Sequence, residues 1–228
     1  MQEEEEMSDF VTDSSVDAVQ VGDPESYTEQ MQAGRSKRKA RIRYMTVTGL
    51  LASVAFILQF FEFAIPLVPS FIKMDFSDLP ELIGAFALGP VCGVLVALIK
   101  NMLHFPLSQT AGVGELCNFL LGAAFALPAG LIYKYHKTRG GAVTGAIIGA
   151  VSMAALSFPI NLFIVYPVYE VMIPRSAIIA AYQAIVPAVQ TLPQCLLMFN
   201  VPFTLFKAAC SVAVTMVVYK KLSPILHG

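Results

Sequence analysis

Five runs without a charged residue dominate the chain, at 44–61, 82–99, 116–133, 140–169 and 176–206. None carries the polar stripe that a helix needs when it lies between a soluble core and water. At 1.5 Å of rise per residue, each is long enough to cross roughly 30 Å of hydrocarbon. The pattern therefore predicts an all-α membrane protein. Gly89-Pro90 interrupts the second run: proline removes a backbone donor and glycine tolerates turn dihedrals, so two helices joined by a tight turn are expected there. The first part of the last run holds Gln183, Gln190 and Gln194 with Pro187 and Pro193. That composition suits a protein-covered cap better than a lipid-facing helix.

The charges turn these runs into a topology. Ten of the sixteen carboxylates lie in the first 29 residues. Lysine and arginine cluster at 35–43, at Lys134, Lys137 and Arg139, and at Lys220 and Lys221. Basic residues are retained on the cytoplasmic side, so an even number of spans should separate each cluster from the next. The expected model has six transmembrane helices, about 44–64, 71–88, 90–106, 113–135, 140–168 and 197–220, with both termini cytoplasmic. Residues 1–34 are expected to be a disordered acidic tail, 35–43 a basic cytoplasmic segment, 44–221 the membrane domain and 222–228 a cytoplasmic tail. No early apolar run suggests a cleavable signal peptide.

Polar side chains inside the runs point to a site, because an ionisable group in hydrocarbon usually faces a cavity or a partner. Lys207 shares a face of the last helix with Thr204 and Asn200, and Asn161 falls in the outer half of the fifth. Lys100, Asn101 and His104 end the third helix, while Glu115 and Asn118 open the fourth. All converge on the outer leaflet, as the wall of an outward-facing ligand pocket would. The plain structural alternative for Lys100 and Glu115 is that they pair with each other as a bridge near the interface. The loop PLVPSFIKMDFSDLP, residues 66–80, mixes rigid prolines with Phe71 and Phe76 and suits a lid over a flat ligand.

Other chemistry finds little footing. The sequence has no Ser-His-Asp set, HExxH or phosphate-cradling loop, and Cys92, Cys117, Cys195 and Cys210 sit in apolar surroundings without metal-ligand spacing. A membrane enzyme using Glu115 and His104 as acid and base is the alternative from another class. On the first helix Thr48, Gly49, Ala52, Ser53 and Ala55 form a small-residue face open to another helix.

The stretches DFSDLPELIGAFALGPVCGVLVALIKNMLH (75–104), GVGELCNFLLGAAFALPAGLIY (112–133) and NVPFTLFK (200–207) resemble the riboflavin-specific substrate-binding (S) component of energy-coupling factor (ECF) transporters. The likeness runs over about 44–221. It implies a six-helix subunit of the bacterial cytoplasmic membrane that captures riboflavin, as a transported ligand and not a cofactor, at the outer face. Its partners would be an EcfT-type coupling subunit and two cytosolic ATPases, with no nucleic acid. Carried over, the substrate-binding residues are Asn161, Thr204 and Lys207; Asn118 and Asn200, with Phe76 and Leu79 at the lid, complete the expected site. Thr204 stands where the resemblance leads one to expect asparagine. Flavin mononucleotide (FMN) is a further expected ligand, through Lys73 or Lys207. An S component for another vitamin is the alternative within the family. The small face of the first helix takes the place of the family's docking contact for the coupling subunit.

Overall fold

The computed structural model describes residues 24–108 and 110–227, with side chains described over 28–218. Up to Tyr44 the described chain is one helical segment with exposed basic residues. It belongs to α1, Pro24–Phe60. Residues 24–34, expected to be disordered, are helical. Proline with its preset φ suits a first helical position, and the following Glu, Gln, Ala, Arg and Lys are good helix formers. The rest of the expected acidic tail lies outside the described residues.

From Met45 onward the chain forms a second unit. After α1 come β1 (Phe63–Ala64), β2 (Lys73–Met74), α2 (Asp78–Ala87), α3 (Pro90–His104) and α4 (Val113–Tyr135). Then follow α5 (Arg139–Ile160), α6 (Tyr166–Met172), α7 (Arg175–Gln183), α8 (Leu192–Cys195) and α9 (Val201–His227). Among the described residues, five helical stretches are long and apolar enough to cross a membrane: Thr28–Phe60, Pro90–Leu107, Val113–Tyr135, Arg139–Met172 and Leu192–Val218. Their outer faces remain greasy, with Ile147 54%, Val151 55% and Phe163 73% exposed, as lipid-facing positions should be.

Two sequence expectations change here. The helix expected over 71–88 is only the ten residues of α2, a rise of about 15 Å that by itself falls well short of the hydrocarbon. Residues ahead of it are otherwise engaged: β1 and β2 pair antiparallel, Phe63 opposite Met74, and Asp75 accepts the Ser77 N–H at 2.8 Å in a local turn. Among the described residues the regular structure is thus helical apart from this short ribbon. The last helix also reaches beyond residue 221, to His227. The Gly89-Pro90 turn is present, with Gly89 at φ +100° and Pro90 opening α3.

Small residues bring the helices together. A Cβ on Gly149 would lie 2.5 Å from the Phe125 carbonyl oxygen and one on Gly145 2.7 Å from that of Ala129, so α4 and α5 touch backbone to backbone. Asn161–Val165 and Leu196–Asn200 are π-helical, and each is followed two residues later by a proline, Pro167 and Pro202. A proline ring inside a helix clashes with the carbonyl four residues back, which here lies within the widened turn. Each widened turn also carries an asparagine, Asn161 in one and Asn200 in the other.

Candidate functional site

These helices and the 61–77 loop line a half-open cavity of about 810 Å³, within the range of small-molecule sites. Asn118, Asn161, Asn200, Thr204 and Lys207 line it, as the sequence led us to expect. Phe76 and Leu79 do not. Phe76 packs near Phe63 with ring centroids 6.5 Å apart. The ribbon turns Phe71, Ile72 and Lys73 toward the cavity instead. Apolar wall comes from Leu121, Met153 and Val165.

Lys207 does not stand alone. Its ammonium lies 3.0 Å from Asp75 Oδ2 and 3.3 Å from Asp78 Oδ2. Lys100, 1% exposed, meets Glu81 Oε1 at 2.5 Å and Asp78 Oδ1 at 3.3 Å, and donates to Ser77 Oγ at 2.6 Å. Asp78 thereby bridges α3 to α9, and Asp75 ties the loop into the same network. Lys100 is therefore not the partner of Glu115; α2 supplies its carboxylates. Burial alone would raise the Asp75 carboxyl, but Lys207 and Lys100 outweigh it and hold it down at about 2. Glu81 sits flush against α4, because a Cβ on Gly122 would come within 2.3 Å of its Oε2. Glu81 escaped the sequence reading, although the rule that singled out Lys207 applies to it equally.

The second polar group lies where α3 ends and α4 begins. Glu115 Oε1 is 3.0 Å from His104 Nδ1, and Glu115 Oε2 accepts from Ser108 Oγ at 2.6 Å. Glu115 and His104 both line the cavity, as does the partly exposed pair Lys73 and Glu62 on the loop.

The cap also contributes. Tyr182 of α7 is fully buried, bonds to Tyr166 and donates to Asn200 Oδ1 at 2.7 Å. Burial pushes its phenol well above the ordinary value, so it stays a neutral donor. Phe71 meets the Tyr182 ring edge-on at 5.7 Å, joining loop to cap. Asn161 donates to the Ser157 carbonyl at 2.7 Å, a local bond in keeping with the widened turn. Tyr166 and Gln59, which also line the cavity, were not marked by any sequence signal we used, since tyrosine and glutamine at helix ends are ordinary interfacial residues.

The first-helix face divides in two. Thr48, Ala52 and Ala55 are buried, Thr48 against Cys92 Sγ at 3.2 Å, whereas Gly49 and Ser53 are exposed.

A membrane-embedded helical protein with a half-open, mostly apolar cavity and a few convergent polar groups is a solute-binding protein of the bilayer. Its family follows from comparison: residues 43–219 match the model for the ECF transporter substrate-specific component, and the chain belongs to that family. It is a transport subunit of the membrane, not an enzyme. It is 33% identical over 194 residues to the riboflavin transporter RibU of Staphylococcus aureus (strain TCH60), covering 85% of this chain and 97% of that one. It is 28% identical over 189 residues to the riboflavin transporter FmnP of Bacillus subtilis (strain 168), covering 81% and 94%. A solved structure described as the S component of a bacterial ECF transporter superposes with a TM-score of 0.65 at 31% identity, over 82% of this chain and 98% of the other.

Proposed function

We propose that this subunit captures riboflavin from outside the cell and delivers it for uptake driven by ATP hydrolysis in partner subunits. The observation that carries the reading is the cavity of about 810 Å³ in a chain related almost end to end to riboflavin transporters. Its apolar wall suits a flat aromatic ring system. Lys207 and Thr204 can donate, and the Asn161 amide can also accept, which matches the mixed carbonyl and N–H edge of a flavin. No nucleophile or metal is required for binding and release.

In this reading α2 and α3, joined at Gly89-Pro90, complete a six-helix arrangement with both termini cytoplasmic and the cavity facing outward. The parity of the basic clusters supports it. Gly49 and Ser53 are the exposed remainder of the small face, and an EcfT-type coupling subunit would approach the first helix there, with two cytosolic ATPases below.

The test is direct. Protein purified from a riboflavin-rich culture should be yellow, with near-stoichiometric flavin absorbance that falls sharply in Asn161→Ala and Lys207→Ala. A colourless protein whose melting temperature does not move on adding riboflavin sinks the reading.

A further inference from the structure

Two tyrosines and an asparagine close a ring of hydrogen bonds between the two widened turns. Tyr166 follows the first turn, Asn200 ends the second, and Tyr182 comes from α7 of the cap. All three are buried, at 1%, 6% and 0% exposed. Counting protons sets the direction of the ring. Tyr182 gives its single hydroxyl proton to Asn200 Oδ1 at 2.7 Å, the usual length of an O–H···O bond. In its bond with Tyr166 it therefore accepts, and Tyr166 is the donor. Asn200 Nδ2 in turn donates to the Tyr166 oxygen at 3.4 Å, so each residue gives one bond and receives one.

The ring decides which end of the Asn200 amide a ligand meets. Turning an asparagine amide over exchanges a carbonyl for an NH2 of nearly the same size, so packing alone leaves its sense open and hydrogen bonds must choose. Tyr166 lines the cavity, whereas Tyr182 stands behind the wall. The NH2 end of Asn200, beside Tyr166, is thus the end on the cavity side, and the second of its two N–H groups is left for a ligand. Asn161 has the opposite sense. Its Nδ2 is spent on the Ser157 carbonyl at 2.7 Å, which leaves the carbonyl end for a ligand. The two widened turns therefore offer one donor and one acceptor, and the ring edge of a flavin alternates carbonyls with an N–H.

We propose that Tyr182 is a positioning residue: without touching the ligand, its hydroxyl fixes the Asn200 amide so that an N–H, and not a carbonyl, faces a carbonyl of the bound flavin. The proposal rests on the riboflavin reading and deepens it. Removing the Tyr182 proton leaves Tyr166 as the one hydroxyl beside the amide, and its proton then draws the Asn200 carbonyl round to the cavity side.

Equilibrium binding of riboflavin to the purified full chain, read together with infrared difference spectra of the bound flavin carbonyls, tests it. Tyr182→Phe should weaken binding about five-fold, the size of one buried hydrogen bond. Asn200→Leu should weaken it at least as much, and the double variant no further than Asn200→Leu alone, because Tyr182 acts through Asn200. In both single variants one flavin carbonyl band should move to higher frequency as its donor is lost. A residue that merely braced the cap would lower affinity and leave that band in place, which overturns the proposal. Unchanged affinity in Tyr182→Phe overturns it too, as do losses that multiply in the double variant. If Tyr182→Phe does not fold, Asn200→Leu decides, since an unmoved band there means that no Asn200 N–H reaches the flavin. A wild type that binds no riboflavin takes down the riboflavin reading together with this one, whereas binding with an unmoved band takes down this one alone.

Discussion

The cavity wall and the layer behind it contain ionic groups built from similar residue types but placed in different surroundings. The Asp75, Asp78 and Glu81 cluster with Lys100 and Lys207 is buried, its residues between 0% and 6% exposed. The Lys73 and Glu62 pair at the mouth has side chains 40% and 38% exposed, and the His104 and Glu115 pair lies between these extremes. Water screens the outer pair, so it contributes little to stability. Removing one partner from the inner cluster leaves an unpaired charge away from water, and that is where the cost becomes large. The inner group fixes helices to one another; the outer groups are free to face solute.

Breaking the inner cluster should have the largest effect. Lys100→Met leaves Glu81 and part of Asp78 unpaired and should cost about 3–5 kcal/mol, read as a large fall in melting temperature in detergent. Adding Glu81→Gln to that variant should restore part of the loss, and no recovery would show that the cluster's role is not electrostatic. Gly122→Ala probes the same cluster sterically. The methyl group would displace the Glu81 carboxylate from its place beside Lys100, with an expected cost of about 1–3 kcal/mol and little change in the polar groups at the mouth. Tyr182→Phe removes the donor to Asn200 while keeping the ring against Phe71. It should cost about 1 kcal/mol and appear as flavin dissociation several-fold faster in stopped flow. Smallest of all, Lys73→Met should shift stability by less than about 1 kcal/mol. A loss comparable to that of Lys100→Met would erase the distinction between the two groups.

Much of this architecture was legible in the residues. The charge-free runs located the long helices, and Gly89-Pro90 marked the turn between α2 and α3. The rule that buried polar residues gather at sites led to Asn161, Thr204, Lys207, Asn118 and Asn200, all on the cavity wall. Phe76 and Leu79, expected at the lid, do not line the cavity, because the two-residue ribbon sets the facing of the loop and such a short pairing leaves no periodic trace. Lys100 is held by Asp78 and Glu81 and not by Glu115, a pairing between helices that leaves no local signal.

The sequence by itself determined which segments are apolar enough for the bilayer and which polar residues those segments must shelter, since both follow from local composition and helical spacing. Only the tertiary structure decided the pairing. Lys207 meets Asp75 across 132 positions of chain and Lys100 meets Asp78 across 22, and helical periodicity relates residues only a few positions apart along one helix. Which carboxylate neutralises which lysine, and so what charge the cavity presents to a ligand, depends on how closely glycines such as Gly122 and Gly149 let the helices approach.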